Sequence, residues 1–206
     1  VIKSQSFGGN PVSKFALVTD STAYVPAELV QKHNISVVPL ILVWGDEMFE
    51  DGVDILPKEF YTRLKTAKVM PSTSQATPAK MQAIFQSLVD QGMDVLGMFI
   101  SSKLSGTMQS AMQAKDMMGS AGEKITLVDS QCTSMALGFQ VLAAARAMDA
   151  GASLQECAAI AEKAHEKAGL FFAVDTLEFL HRGGRIGGAQ RFIGSALNLK
   201  PILALK

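Results

Sequence analysis

Ser101-Ser102-Lys103-Leu104-Ser105-Gly106-Thr107 places four hydroxyls and a glycine within seven residues. The apolar run over residues 95–100 ahead of it predicts a buried strand. Met108, Ala111, Met112, Lys115 and Met118 behind it keep helical spacing. The hydroxyls therefore fall where a strand ends and a helix begins, which in an open α/β sheet is the crevice that receives ligands. The first backbone N–H groups of a helix lack intrahelical partners and carry the positive end of its dipole, so they favour an anion. Plain N-capping by Ser and Thr is the competing account.

The same feature recurs. Asp20-Ser21-Thr22 closes a first predicted strand over residues 15–19, and Asp129-Ser130 closes another over residues 124–128. Ser72, Thr73, Ser74 and Thr77 crowd a segment bounded by Pro71 and Pro78, which reads as a fixed hydroxyl-rich loop because proline breaks both helix and strand interiors. Capping explains each cluster singly, whereas their common placement at strand ends suggests a crevice lined with neutral hydrogen-bond donors.

The elements that must position these clusters alternate. A strand over 35–43 follows a helix over 26–32, for which Asp20-Ser21-Thr22 supply caps. Residues 44–54 form an acidic loop or hairpin, and a short helix spans 57–65 with Phe60 and Leu64 on one face. Thr77 and Pro78 open a helix running to residue 91, and two long helices cover 133–148 and 153–167, separated by Gly151. The alternation predicts an α/β fold, with a parallel-sheet N-terminal lobe bearing helices on both faces, over residues 14–168. Residues 169–206 start a second α/β lobe that is incomplete in this chain: a strand over 170–174, a helix over 175–180, a glycine-rich basic loop, a helix over 190–197 and a strand over 202–205. Residues 1–13 are polar, contain Gly8-Gly9-Asn10-Pro11 and lack an apolar segment, so they read as a tag or disordered extension, not a signal peptide.

Composition excludes several classes. At 48% hydrophobic and 18% charged residues over 206 positions, the chain can bury a large core. Net charge is zero with scattered Lys and Arg, so there is no basic footprint for nucleic acid. No apolar run approaches the roughly 20 residues of a membrane span. Cys132 and Cys157 lie far apart on helical patterns and read as core thiols, which suits a cytoplasmic location. The eleven methionines read first as core filler, although Met-rich surface also suits a flexible apolar ligand.

Tests for self-contained catalysis fail. There is no phosphate-binding Gly-x4-Gly-Lys-Ser/Thr, no dinucleotide-binding glycine pattern and no Gly-x-Ser-x-Gly elbow. His33 and His165 sit among charged residues near helix ends and read as solvated. His181 adjoins the loop His181-Arg182-Gly183-Gly184-Arg185-Ile186-Gly187-Gly188. No His, Cys, Asp and Glu residues share metal-ligand spacing. Asp20 is the one candidate acid, and capping explains it equally. The glycines let Arg182 and Arg185 be presented outward toward a phosphate or carboxylate, with a solvated turn as the plain alternative.

Taken together and in order, Asp20-Ser21-Thr22, Thr73-Ser74-Gln75, the 101–107 stretch, Asp129-Ser130 and Gly183-Gly184-Arg185-Ile186 resemble the signature blocks of the DegV family, from about residue 15 to the end of the chain. The resemblance implies a two-lobed α/β protein that buries one long-chain fatty acid between its lobes. It implies a non-catalytic role: no cofactor, a bound fatty acid as ligand, and a separate ATP-binding fatty-acid kinase subunit that phosphorylates the carboxylate for phospholipid synthesis. Thr73 and Ser105 then become carboxylate ligands with Ser102 and Ser74 as neighbours, and Arg185, with Arg182, faces the partner and the phosphoryl group. Family members have a longer second lobe with a late histidine-glycine motif that also reaches the carboxylate, and this chain ends before it. Two other classes compete: a serine hydrolase or acyltransferase using Ser105, which needs a histidine within hydrogen-bond reach, and a regulatory module whose lipid is incidental.

Overall fold

The computed structural model describes residues 15–192 and 200–205. Phe15-Ala16-Leu17-Val18-Thr19 is apolar on both faces, as a strand covered on both sides must be, and it forms β1 (Phe15–Asp20), buried along its whole length. The elements that follow are α1 (Ala27–Lys32), β2 (Ser36–Val38), β3 (Ile41–Trp44), β4 (Glu47–Glu50), α2 (Pro57–Leu64), β5 (Ser72–Ser74), α3 (Pro78–Asp90), β6 (Asp94–Phe99) and α4 (Thr107–Met117). After them come β7 (Ile125–Asp129), α5 (Ser134–Asp149), α6 (Leu154–Ala164), β8 (Leu170–Ala173), α7 (Glu178–Arg182) and β9 (Ile202–Leu205).

Four strands make a parallel sheet in the order β2-β1-β6-β7. One face packs Leu17, Leu96 and Met98 against Leu137, Val141 and Ala144 of α5 and Cys157 and Ala161 of α6. The other packs Val18, Val95 and Phe99 against Met81 and Phe85 of α3 and Ala111 and Ala114 of α4. This is the mixed α/β architecture, with helices on both faces of a parallel sheet, that the alternation predicts. The chain leaves β1 toward β2 on one side and later returns as β6 on the other, so the strand order reverses between β1 and β6. The carboxyl ends of those two strands border the switch-point crevice.

Close backbone approach fixes α5 over this sheet. A Cβ at Gly138 would stand 2.5 Å from the Ala23 carbonyl oxygen. Gly138→Ala must push the helix away, and we expect a loss of about 1–3 kcal/mol, read from the urea midpoint with the slope unchanged.

Several expectations need correction. The single strand over 35–43 is two strands in different sheets: β2 pairs in parallel with β1, and β3 pairs antiparallel with β4 and β5. The break falls at Pro39-Leu40, where proline has no N–H for a ladder. The 71–78 segment is not all loop, because Ser72, Thr73 and Ser74, lying between the two prolines, pair with Val43, Leu42 and Ile41. This antiparallel sheet has its own small core of Leu42, Trp44 and Ile55, backed by Phe49, Phe60 and Leu64.

Asp20 caps a 3-10 turn over Ser21–Ala23, not α1, whose N-cap Pro26 has no side-chain cap. His33 is buried, with Nδ1 2.8 Å from Asp149 Oδ2, so the ring ties the end of α1 to the end of α5 instead of facing water. Cys132 lies in the loop before α5, not in a helix, while Cys157 is helical; both are buried and free. β8 and β9 form a separate antiparallel pair, and the glycine-rich segment ends in a 3-10 turn over Gly187–Phe192. Most of the expected 190–197 helix, and residues 1–14, lie outside the described residues.

Candidate functional site

The sheet's carboxyl edge opens into a cleft of about 1300 Å³. Its walls come from every side of the switch point. Thr22 and Tyr24 follow β1, Leu40 follows β2, Ile100, Lys103, Leu104 and Ser105 follow β6, and Thr133 follows β7. The antiparallel sheet adds Leu42, Thr73 and Ser74, and the opposite wall is built from β8, β9, α7 and the glycine-rich loop, including Phe172, Arg185, Ile186 and Leu203. Most of the lining is apolar, and its hydroxyls include Thr22, Ser72, Thr73, Ser74, Ser105 and Thr133.

Asp20 holds the floor of this crevice together. Its carboxylate, fully buried, accepts from the Ile100 N–H at 2.8 Å, the Thr22 N–H at 2.9 Å and the Thr22 hydroxyl at 2.5 Å. One side chain at the end of β1 thereby straps the end of β6. Burial is the largest influence on it and raises its pKa above the ordinary carboxylate value, against the hydrogen bonds that lower it. Asp20 is a structural strap, with both oxygens occupied by protein donors.

The loop after β6 is shaped by its own hydroxyls. The Ser101 carbonyl accepts from the Leu104 N–H at 2.9 Å and the Ser105 N–H at 3.1 Å, and Ser101 Oγ accepts from the Lys103 N–H at 3.3 Å. Asp129 accepts from the Ser102 N–H at 3.3 Å and the Gln131 N–H at 3.0 Å. Ser130 Oγ donates to the Cys132 carbonyl at 3.0 Å. The Ser130 carbonyl accepts from Gln140 Nε2 at 3.0 Å. Asp129 and Ser130 therefore brace the loop and do not line the cleft.

Among the carboxylate candidates, Thr73, Ser74 and Ser105 line the cleft and Ser102 does not. Thr73 lies on β5 and Ser105 in the loop after β6, and the Gln75 amide packs so close to Gly106 that a Cβ there would stand 3.0 Å from it. The Ser105 hydroxyl meets the Thr107 hydroxyl at 2.9 Å and accepts from the Thr107 N–H at 3.3 Å. The Thr73 hydroxyl has no protein partner among the described residues.

Arg185 reaches the same loop. Its Nε donates to the Leu104 carbonyl at 3.2 Å and its Nη1 to the Gly183 carbonyl at 2.6 Å, which leaves Nη2 without a partner among the described residues. Arg182 also lines the cleft, but its guanidinium pairs with Glu178 at 2.5 Å on its own helix. Among the described residues, His33, His165 and His181 do not line the cleft beside Ser105. Among the described residues no group of three or more His, Cys, Asp or Glu could hold a metal, and no helix is long and apolar enough to cross a membrane.

Sequence reasoning missed Tyr24 and Lys103 as lining residues. Tyr24 has φ 50°, a left-handed conformation uncommon outside glycine, at the turn that follows Asp20-Ser21-Thr22. Burial, then the nearby Asp51 charge, raises its phenol pKa, so it remains a neutral donor. Its position just after a polar strand end was the available signal.

A family model for an uncharacterised protein of the DegV family matches residues 14–206. A DegV domain-containing protein of Streptomyces coelicolor is 38% identical over 192 residues, or 93% of this chain and 67% of the relative. Among solved structures, a DegV family protein from Thermus thermophilus described for its fatty acid binding superposes with a TM-score of 0.83 at 38% identity, covering 94% of this chain and 68% of that one. A stearic acid-binding protein from Eubacterium ventriosum gives a TM-score of 0.84 at 28% identity, covering 93% and 67%. The chain spans about two thirds of the length of each. From Asp20 at the switch point to Arg185 on the loop facing it, the chain belongs to the DegV family.

Proposed function

We propose that this protein binds one long-chain fatty acid in the cleft, between the 14–168 lobe and the second lobe begun by residues 169–206. The observation that carries the reading is a large, mostly apolar cleft with neutral hydroxyls in its wall, Thr73, Ser74 and Ser105 among them. Its volume of about 1300 Å³ exceeds the roughly 300–1,000 Å³ usual for small-molecule pockets. Burying each methylene contributes about 0.8 kcal/mol, so an extended acyl chain supplies the binding energy and the polar wall sets its direction. Thr73 and Ser105 meet the carboxylate, with Ser74 beside them. Ser102 supports the loop through its backbone. A carboxylate held by neutral donors keeps its charge and remains open to attack on a phosphoryl group.

We propose further that the bound acid is presented to a separate ATP-binding kinase subunit in the cytoplasm, which supplies the phosphoryl group. Arg185, exposed beside Leu104 with Nη2 unengaged, is the group best placed to meet that partner or the transferring phosphoryl group. The Glu178 pairing gives Arg182 the lesser part. The protein is then the lipid-carrying, non-catalytic half of the pair.

The test is mass spectrometry of the purified protein, native and after organic extraction. A stoichiometric long-chain fatty acid is the expected result. A protein that comes out empty, and stays empty after incubation with stearate and oleate, would overturn the reading.

A further inference from the structure

Thr107 is fully buried, and its hydroxyl has one hydrogen-bond partner among the described residues, Ser105 Oγ at 2.9 Å. Two directions are available to that bond. If Ser105 donated, the Thr107 proton would be buried with no acceptor, a desolvated polar group left unpaired. If Thr107 donates, its buried proton is placed. Ser105 Oγ then receives Thr107 Oγ1–H at 2.9 Å and the Thr107 N–H at 3.3 Å, which occupies both of its lone pairs. The one hydrogen-bonding capacity left to Ser105 is its own O–H, and Ser105 is the member of the pair that lines the cleft.

We infer that Thr107 is a specificity-determining positioning residue: by filling the acceptor side of Ser105, it makes that hydroxyl an obligate donor to the ligand. The inference rests on the fatty-acid reading of the cleft. A hydroxyl ordinarily donates or accepts as the ligand requires, so it cannot discriminate between a carboxylate and an alcohol. One held as a donor can. It matches a carboxylate oxygen, which accepts only, and offers a fatty alcohol's O–H no acceptor at Ser105. Discrimination of this kind is strong because the wrong head group leaves buried polar atoms unpaired. Position reinforces it, since Thr107 is the first residue of α4, whose N-terminal end favours negative charge.

The experiment compares palmitate with hexadecanol, two lipids of equal chain length, in the full chain, by displacement of a fluorescent fatty acid. The wild type is expected to prefer palmitate. Thr107→Val keeps the shape and removes the donor, so one lone pair of Ser105 becomes free. Palmitate affinity is then expected to fall about tenfold, while hexadecanol affinity holds or rises, so the acid-to-alcohol preference contracts. Thr107→Ser restores the hydroxyl and is expected to restore the preference. A purely structural role would weaken both lipids in parallel, and an unchanged preference in a folded Thr107→Val would overturn the inference. Equal binding of the two lipids by the wild type would do so without any variant. A wild type that binds neither lipid counts against the fatty-acid reading itself, a different failure.

Discussion

Ser105→Ala is expected to weaken long-chain fatty-acid binding by about 10- to 100-fold, measured by calorimetric titration of the delipidated protein. The magnitude is that of a hydrogen bond to a charged acceptor, roughly 1.5–3 kcal/mol, with each 1.4 kcal/mol worth about a factor of ten. Thr73→Ala is expected to act in the same direction. Thr73 sits on β5 and Ser105 in the loop after β6, and on the proposed reading both hydroxyls serve one head group. Their effects are therefore expected to be non-additive, since either substitution frees the carboxylate to shift toward the other. The acyl chain's own contribution is untouched, so the double variant is expected to retain weak binding. Full affinity in the double variant would show that the head group lies elsewhere.

Asp20→Ala is expected to destabilise the fold by about 3 kcal/mol or more, read from urea unfolding. It strips the acceptor from the Ile100 and Thr22 N–H groups and removes the strap between β1 and β6 at the switch point. Asp20→Asn keeps one acceptor oxygen and is expected to fall between alanine and wild type.

The same residue imposes a pH dependence whose sign follows from its raised pKa. In the window between the ordinary carboxylate value and the higher folded value, the folded chain holds a proton that the unfolded chain has released. Stability from this group therefore falls as pH rises through that window and is level above it. Urea midpoints followed upward from about pH 4, the ordinary carboxylate value, are expected to show this slope in the wild type and to lack it in Asp20→Asn.

Much of the fold is legible in the chain itself. Strands covered on both faces by helices must be apolar throughout, as residues 15–19 and 95–100 are, and helices must repeat their apolar positions with the helical period, as α3 does at Met81, Phe85 and Val89. Thr77 before Pro78, and Ser153 with Glu156 in a capping box, mark helix starts by local hydrogen bonding alone. The polar clusters at strand ends could also be located, because the polar residues that cap and shape such turns are read from type and spacing.

What each cluster does was decided by tertiary structure. Ser130 and Thr107 have the same residue types as the cleft-lining hydroxyls, and Asp20 and Asp129 stand in the same polar clusters, yet their polar atoms are consumed by backbone and side-chain partners within or beside the loops. Ser105, Thr73 and Ser74 are left facing the cleft. The chain carries no mark that tells a spent hydroxyl from a free one, because the difference lies in which donor or acceptor arrives from a distant segment. The same holds for His33, whose charged neighbours in sequence suggest solvent but whose partner, Asp149, arrives from 116 residues away and takes it into the core. It holds too for the split of residues 35–43 between two sheets, where Pro39 permits a break but only pairing with β1 on one side and β4 and β5 on the other imposes it. Local composition determined the elements and where their polar ends lie. Long-range pairing determined which of those ends hold the fold together and which remain open to a ligand.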